Sequence, residues 1–258
     1  MKQITFYFML VLLFTSCLSK SDSEKNKLDP ETIVKDFNTW WSYNSQKVNL
    51  AKEYVAFDTN SKAISRAFFL KCLSSGKYIA LRLMSNDSLL QQYKLYKLRS
   101  SVPKDIQFQS EQFGNREYDK FIKEGLALPD FNFCDLNGTV YNNENTKGKI
   151  IVINCWFTQC VPCVAEIPAL NEIVREYQNR KDVLFISLSF DSSSKLKAFL
   201  TKTKFNYAPI AQQKYYVREQ LKIYSFPTQI IVNKEGNIVR VFEDYKDIIY
   251  WLKKEMDL

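Results

Sequence analysis

Residues 148–171 read GKIIVINCWFTQCVPCVAEIPALN. Lys149–Trp156 is an almost continuous apolar run, the mark of a strand buried on both faces. After Cys160-Val161-Pro162-Cys163 the pattern becomes helical and stays so to about Gln178. Cys160 therefore falls where a buried strand hands over to a helix. The first backbone N–H groups of a helix are unpaired and carry about half a positive charge, which favours a thiolate. Pro162 suits the first turn, where its missing N–H costs nothing. Thiol pKa values at such places fall to roughly 3.5–7.5 from ~8.5. The spacing predicts Cys160 as an exposed nucleophile, with Cys163 one turn on, facing inward, as the thiol that resolves.

Composition narrows the alternatives. The chain has 258 residues, 46% apolar and 25% charged, enough for one large or two small folded units. Its net charge of +8 is spread along the chain without a block of five like charges, so no nucleic-acid footprint is present. There are six cysteines and no histidine. That removes Ser-His-Asp and Cys-His catalysis and every metal site built partly on imidazole. A zinc knuckle at Cys160 and Cys163 would need a second ligand pair, and no other C-x-x-C occurs, so no metal and no cofactor are expected.

The N-terminus has the layout of a secretory signal: Lys2, an apolar run from Ile4 to Phe14, then Thr15-Ser16-Cys17. The run is too short to span a bilayer, which takes ~20 apolar residues. Leu13–Cys17 also resembles a bacterial lipobox, although Phe14 fits its position loosely. The resemblance implies that residues 1–16 are removed, that Cys17 is the lipid anchor, and that 17–28 is a flexible tether. A protein anchored there would face the periplasm or exterior of the cell envelope, an oxidising compartment.

Two folded parts follow, 29–125 and 126–258. In the first, a helix is expected over Pro30–Gln46 and strands over Glu53–Asp58, Ala63–Leu73, Lys77–Ser85 and Leu89–Leu98. A polar stretch comes next, with a helix over Arg116–Glu124. This smaller α+β unit carries no reaction motif, and its role is not legible. In the second, Phe131–Leu136 and Thr139–Tyr141 flank the hairpin signal Asn137-Gly138. Strands are expected at 149–156, 183–190, 207–211, 228–233 and 238–243, with helices between them, a helical Tyr215–Lys222 and a closing helix over Lys246–Met256. That alternation indicates an α/β sandwich around a mixed central sheet. Cys72, Cys134 and Cys155 fall in apolar strand patterns and are expected as inert core thiols, with a Cys134–Cys155 bridge left open. Trp40, Trp41 and the pair Tyr215-Tyr216 are expected to pack rather than bind.

The stretch 148–171 resembles the TlpA/ResA-type thioredoxin-like thiol-disulfide oxidoreductases. The likeness extends back through Pro129-Asp130-Phe131 and forward through Phe226-Pro227-Thr228 and the Gly236 hairpin. It implies a thioredoxin-like sandwich, with Cys160 and Cys163 as the redox pair and Trp156 as the aromatic beneath it. It further implies that Pro168 kinks the helix and that Phe226–Pro227 is a cis bond whose loop offers backbone to a substrate. Departures are Gln159, where the family has tryptophan, and Phe157, where it has a small residue. Asn154 stands where thioredoxin itself has aspartate. Glu166 matches a glutamate common in this branch. At i+3 it could share a face with Cys163 and take its proton, or it could simply satisfy the helix N-terminus.

The function expected is thiol-disulfide exchange, reducing protein disulfides outside the cytoplasm. Cys160, Cys163 and Glu166 would be catalytic, Trp156, Gln159, Phe226 and Pro227 would meet the substrate, and a membrane thiol donor would recharge the pair. Two alternatives compete. A peroxiredoxin-like thiol peroxidase would place threonine or serine three before its cysteine and proline further back, where this chain has Phe157 and Ile153. A non-catalytic binding lipoprotein would use 29–125 and keep the rest as scaffold.

Overall fold

Ser65 decides the shape of the first unit. Its hydroxyl accepts the Phe68 N–H at 3.2 Å and so starts a helix where the apolar run had suggested a strand. The computed structural model describes residues 29–84 and 90–257; Cys17, the leader 1–16 and the tether 17–28 lie outside them. Helix α1 (Pro30–Ile33) and α2 (Phe37–Lys47) replace the single expected helix, because the Asp36 carboxylate caps α2 through Thr39 N at 2.8 Å. Strands β1 (Tyr54–Phe57) and β2 (Ala63–Ile64) lead into α3 (Arg66–Leu73), then β3 (Tyr78–Arg82) and β4 (Gln91–Lys97). The sheet order is β2-β1-β4-β3, with β1 and β4 parallel and the other pairs antiparallel.

Helix α4 (Lys104–Phe121) is far longer than expected. Its buried face runs through Ile106, Ser110 and Gly114, the last two carrying little apolar signal. Gly114 lets α4 press against the end of α3: a Cβ there would stand 2.3 Å from the Leu73 carbonyl carbon.

The chain crosses to the second unit by pairing with it. Gly125 N donates to Ile238 O at 2.8 Å, and Ile238 N donates to Leu126 O at 2.8 Å. A short hairpin, β5 (Asn132–Cys134) and β6 (Val140–Asn142), is followed by the central strand β7 (Ile150–Trp156), buried along its whole length. Then come α5 (Val161–Glu176), β8 (Val183–Ser189), α6 (Ser193–Leu200), β9 (Ala208–Ile210), a π-type turn at Tyr216–Gln220, β10 (Thr228–Val232), β11 (Ile238–Phe242) and α7 (Ile248–Asp257). The five strands lie in the order β11-β10-β7-β8-β9, with β7, β8 and β9 parallel and β10 antiparallel to both neighbours. This is the thioredoxin-like arrangement. One face packs Ile151, Ile153 and Cys155 against Leu188 and Ile230, and the other packs Ile150 and Val152 against Leu170, Ile231 and Leu252.

A buried guanidinium joins the units. Arg240, on β11 and 2% exposed, donates to Leu50 O at 2.8 Å, Ala51 O at 2.6 Å and Lys52 O at 2.9 Å. It also reaches Glu124 at 3.0 Å, whose carboxylate is gripped from the other side by Arg66 at 2.5 and 2.9 Å.

Candidate functional site

The end of β7 places Trp156, the turn 157–159 follows, and Cys160 caps α5 by accepting the Cys163 N–H on its sulfur at 3.3 Å. Asp191, just past β8, holds the turn in place through Thr158 N at 2.6 Å, and Lys195 holds Asp191 at 2.6 Å. Cys160 and Cys163 are joined in a disulfide with their Cα atoms 5.3 Å apart. Pro162 lies in the first turn of α5 and Pro168 in its interior.

Cys160 is not the exposed thiol that its position predicted. It is 6% exposed and Cys163 2%, because the bonded pair is folded into a cluster with Trp156, Ile167 and Leu196, with Phe157 and Phe226 packed against it. Trp156 is fully buried, its ring edge-on to Phe205 at 5.3 Å, so it forms the floor of the site and no client can touch it. Gln159 and Val161 are exposed beside the disulfide, Val161 at 78%.

The Phe226–Pro227 bond is cis, and both residues are half-buried at the rim. Phe157, the larger residue at this position, stacks on Phe190 at 5.9 Å and meets Phe226 edge-on at 5.7 Å. The Arg218 guanidinium lies 5.0 Å from the Phe226 ring and 5.3 Å from that of Tyr224. An aromatic rim of Phe157, Phe190 and Phe226, with one cation, therefore borders the cis-proline loop.

Beneath the helix, polar residues line up across three strands. Register places Gln229 opposite Asn154, and Asn154 opposite Ser187. Glu166 descends from α5 onto this row and is 7% exposed. One of its oxygens accepts from Gln229 Nε2 at 2.8 Å and from Asn154 Nδ2 at 3.2 Å. Burial pushes the carboxyl up to about 8, and the two amide donors only partly offset this. The Glu166 carboxyl thus lies in the core, bonded to two side-chain amides on β7 and β10. Gln229, Asp191, Phe190 and Arg218 were not picked out from sequence. The available signal for Gln229 was a polar side chain directly before the apolar run 230–232.

The remaining thiols depart from expectation in two places. Cys155 is buried, with its thiol pushed up to about 12 by burial. Cys134 is exposed, because β5 turns Asn132 and Cys134 outward on either side of buried Phe133, and Cys72 is half-buried on α3. Both Cys134 and Cys155 are free, so the bridge between them does not form.

The AhpC/TSA family matches residues 125–241, beginning where the chain pairs with β11. The thioredoxin-like protein YneN of Bacillus subtilis strain 168 is 31% identical over 121 residues, covering 45% of this chain and 69% of that protein. The thiol-disulfide oxidoreductase ResA of Bacillus thuringiensis subsp. konkukian is 31% identical over 120 residues, covering 45% of this chain and 67% of that protein. The thioredoxin domain of a thiol-disulfide oxidoreductase from Bacteroides vulgatus is 26% identical, with a TM-score of 0.46, covering 51% of this chain and 96% of its own. With its strand order, its disulfide at the head of α5 and the two Bacillus relatives at 31% identity, the chain belongs to the thioredoxin-like thiol-disulfide oxidoreductases.

Proposed function

We propose that this enzyme reduces disulfides of proteins outside the cytoplasm through the Cys160–Cys163 dithiol. The observation that carries the reading is the disulfide at the N-terminus of α5, with the buried Glu166 carboxyl three residues beyond Cys163 on the same helix, pushed up to about 8 by burial. In the reduced enzyme the helix start favours the Cys160 thiolate, which attacks one sulfur of a client disulfide and expels the other as a thiolate. Cys163 then attacks the Cys160 sulfur of the mixed disulfide. Glu166, three residues on, takes the Cys163 proton, and the client leaves with both sulfurs reduced. The oxidised enzyme keeps that proton on Glu166, since burial favours the neutral acid. Recharging runs the sequence backwards: a membrane thiol donor attacks Cys160, and Glu166 returns its proton to the departing Cys163.

Phe226 and Pro227, with exposed Gln159, form the rim against which the client would lie. Residues 29–125 and 126–258 are two domains of the mature protein, joined through Arg240, with lipidated Cys17 tethering both to the membrane. A peroxidase is disfavoured because Phe157, three before Cys160, is an aromatic packed on Phe190 and offers no hydroxyl.

A redox titration of the whole protein against glutathione buffers, read by thiol alkylation, tests the reading. A reductase gives a single two-electron transition on the reducing side, near that of thioredoxin at about −270 mV. A transition near −120 mV would mark an oxidant, and no transition would mark a scaffold.

A further inference from the structure

Helix α4 reaches out of its own unit to the loop that carries the cis proline. Its Lys120 Nζ lies 2.7 Å from Glu117 Oε1, one turn back, and 3.1 Å from Glu243 Oε1, just past β11. The same Glu243 oxygen accepts the Ser225 hydroxyl at 2.8 Å, and the Ser225 carbonyl accepts the Thr228 hydroxyl at 2.8 Å. Phe226 and Pro227 lie between those last two residues. Register explains the reach: Gln229 is opposite Phe242, so the chain leaving β11 runs beside the chain entering β10. A continuous set of hydrogen bonds therefore connects the N-terminal unit to the rim of the disulfide.

The Lys120 side chain is 12% exposed. Burial works against its charge, and Glu117 and Glu243 overcome that, holding the ammonium above its ordinary pKa. Glu243 is 40% exposed, so water screens part of its charge, yet Lys120 and Ser225 still hold its carboxyl below the ordinary value against the pull of burial. Arg116 on α4 and Lys123 just past its end flank Lys120 and face Lys222, Tyr224 and Ser225 across a groove of about 150 Å³. Four cations line it against one carboxylate, Asp119.

We propose that Lys120 is a positioning residue: through Glu243 and Ser225 it fixes loop 225–228 in the form that a client polypeptide meets. The inference rests on the reading of the enzyme as a protein-disulfide reductase. A peptide must align its backbone with the loop, and a loop already held in place spares the ordering entropy that binding would otherwise cost. A small disulfide needs only access to the Cys160 sulfur and gains nothing from the loop.

The test is steady-state kinetics of the whole protein with insulin as the protein disulfide and dithiobis(nitrobenzoate) as the small one. Lys120→Met and Ser225→Ala should each raise the KM for insulin about tenfold and leave kcat within about twofold, the signature of lost binding shared by ground and transition states. Kinetics with the small disulfide should not change. Lys120→Arg should restore the insulin KM, since a guanidinium can bridge two carboxylates. Ser225→Ala leaves no buried charge unpaired and carries the test even if Lys120→Met fails to fold. An unchanged insulin KM in both variants, or equal losses with both substrates, overturns the inference. A wild type that reduces neither substrate overturns the reductase reading itself, and the inference with it.

Discussion

The Gln229 amide donates to the Glu166 carboxyl at 2.8 Å, across 63 residues of sequence, and fixes it in the core three residues along α5 from Cys163. The carboxyl is buried, shares its oxygen with Asn154, and has a pKa near 8. That arrangement has consequences for both stability and turnover.

The folded-state pKa of about 8 lies above the ordinary 4.5. Between these values the folded protein keeps a proton that the unfolded chain has lost, so stability falls as pH rises through that window and is flat beyond it. Glu166→Gln removes the dependence. The variant should be more stable than wild type at pH 8, by on the order of a few kcal/mol, with the gap closing towards pH 5. Denaturant melts at the two pH values measure this; parallel curves for the two proteins would show that the carboxyl is ionised in the fold. In turnover, Glu166→Gln should leave alkylation of reduced Cys160 unchanged and slow resolution of the mixed disulfide at least about tenfold.

The partners of Arg240 lead to a second expectation. Removing its guanidinium strands the backbone carbonyls of Leu50 and Lys52, leaves Ala51 O to the Trp251 indole at 3.0 Å, and leaves Glu124 with Arg66 alone. Arg240→Met should cost about 3–5 kcal/mol of unfolding free energy in urea. Arg240→Lys should recover little of it, because one ammonium cannot reproduce the planar fork. A loss under about 1 kcal/mol would mean that the units are held together elsewhere.

How far these features could be read in advance depended on whether the signal was local. The strand-to-helix junction, Pro162 and the dithiol lie within one short stretch, so the chemistry was legible there. The helix α3 was not, because its apolar run suits either period until Ser65 is seen to cap it and Phe68 is found 54% exposed. Helix α4 was read short because its contact face uses Ser110 and Gly114, which periodicity does not register. Arg240 alternates in its strand as a solvent-facing residue would, and only the carbonyls of a distant loop reveal why it is buried. The start of a helix carries no signal of what packs over it: Phe157 and Phe226 pack against the cluster that holds Cys160.

Labelling of the three free thiols follows their burial. In the native oxidised protein iodoacetamide should modify Cys134 first and Cys72 more slowly, while Cys155, at 0% exposure, should react only on unfolding. Peptide mapping by mass spectrometry reads the order. Early modification of Cys155 would contradict the packing of β7.

The central claim is the division of labour between the two thiols, and trapping tests it most directly. Cys163→Ser and Cys160→Ser proteins, reduced and exposed to envelope proteins, are compared on non-reducing gels with adduct sites mapped by mass spectrometry. The Cys163→Ser protein should accumulate reductant-sensitive adducts through Cys160, because nothing remains to resolve them. The Cys160→Ser protein should form none, since Cys163 is buried beneath the helix start at 2% exposure. Adducts on Cys160→Ser through Cys163 would reverse the assignment, and adducts on neither would contradict the reductase account.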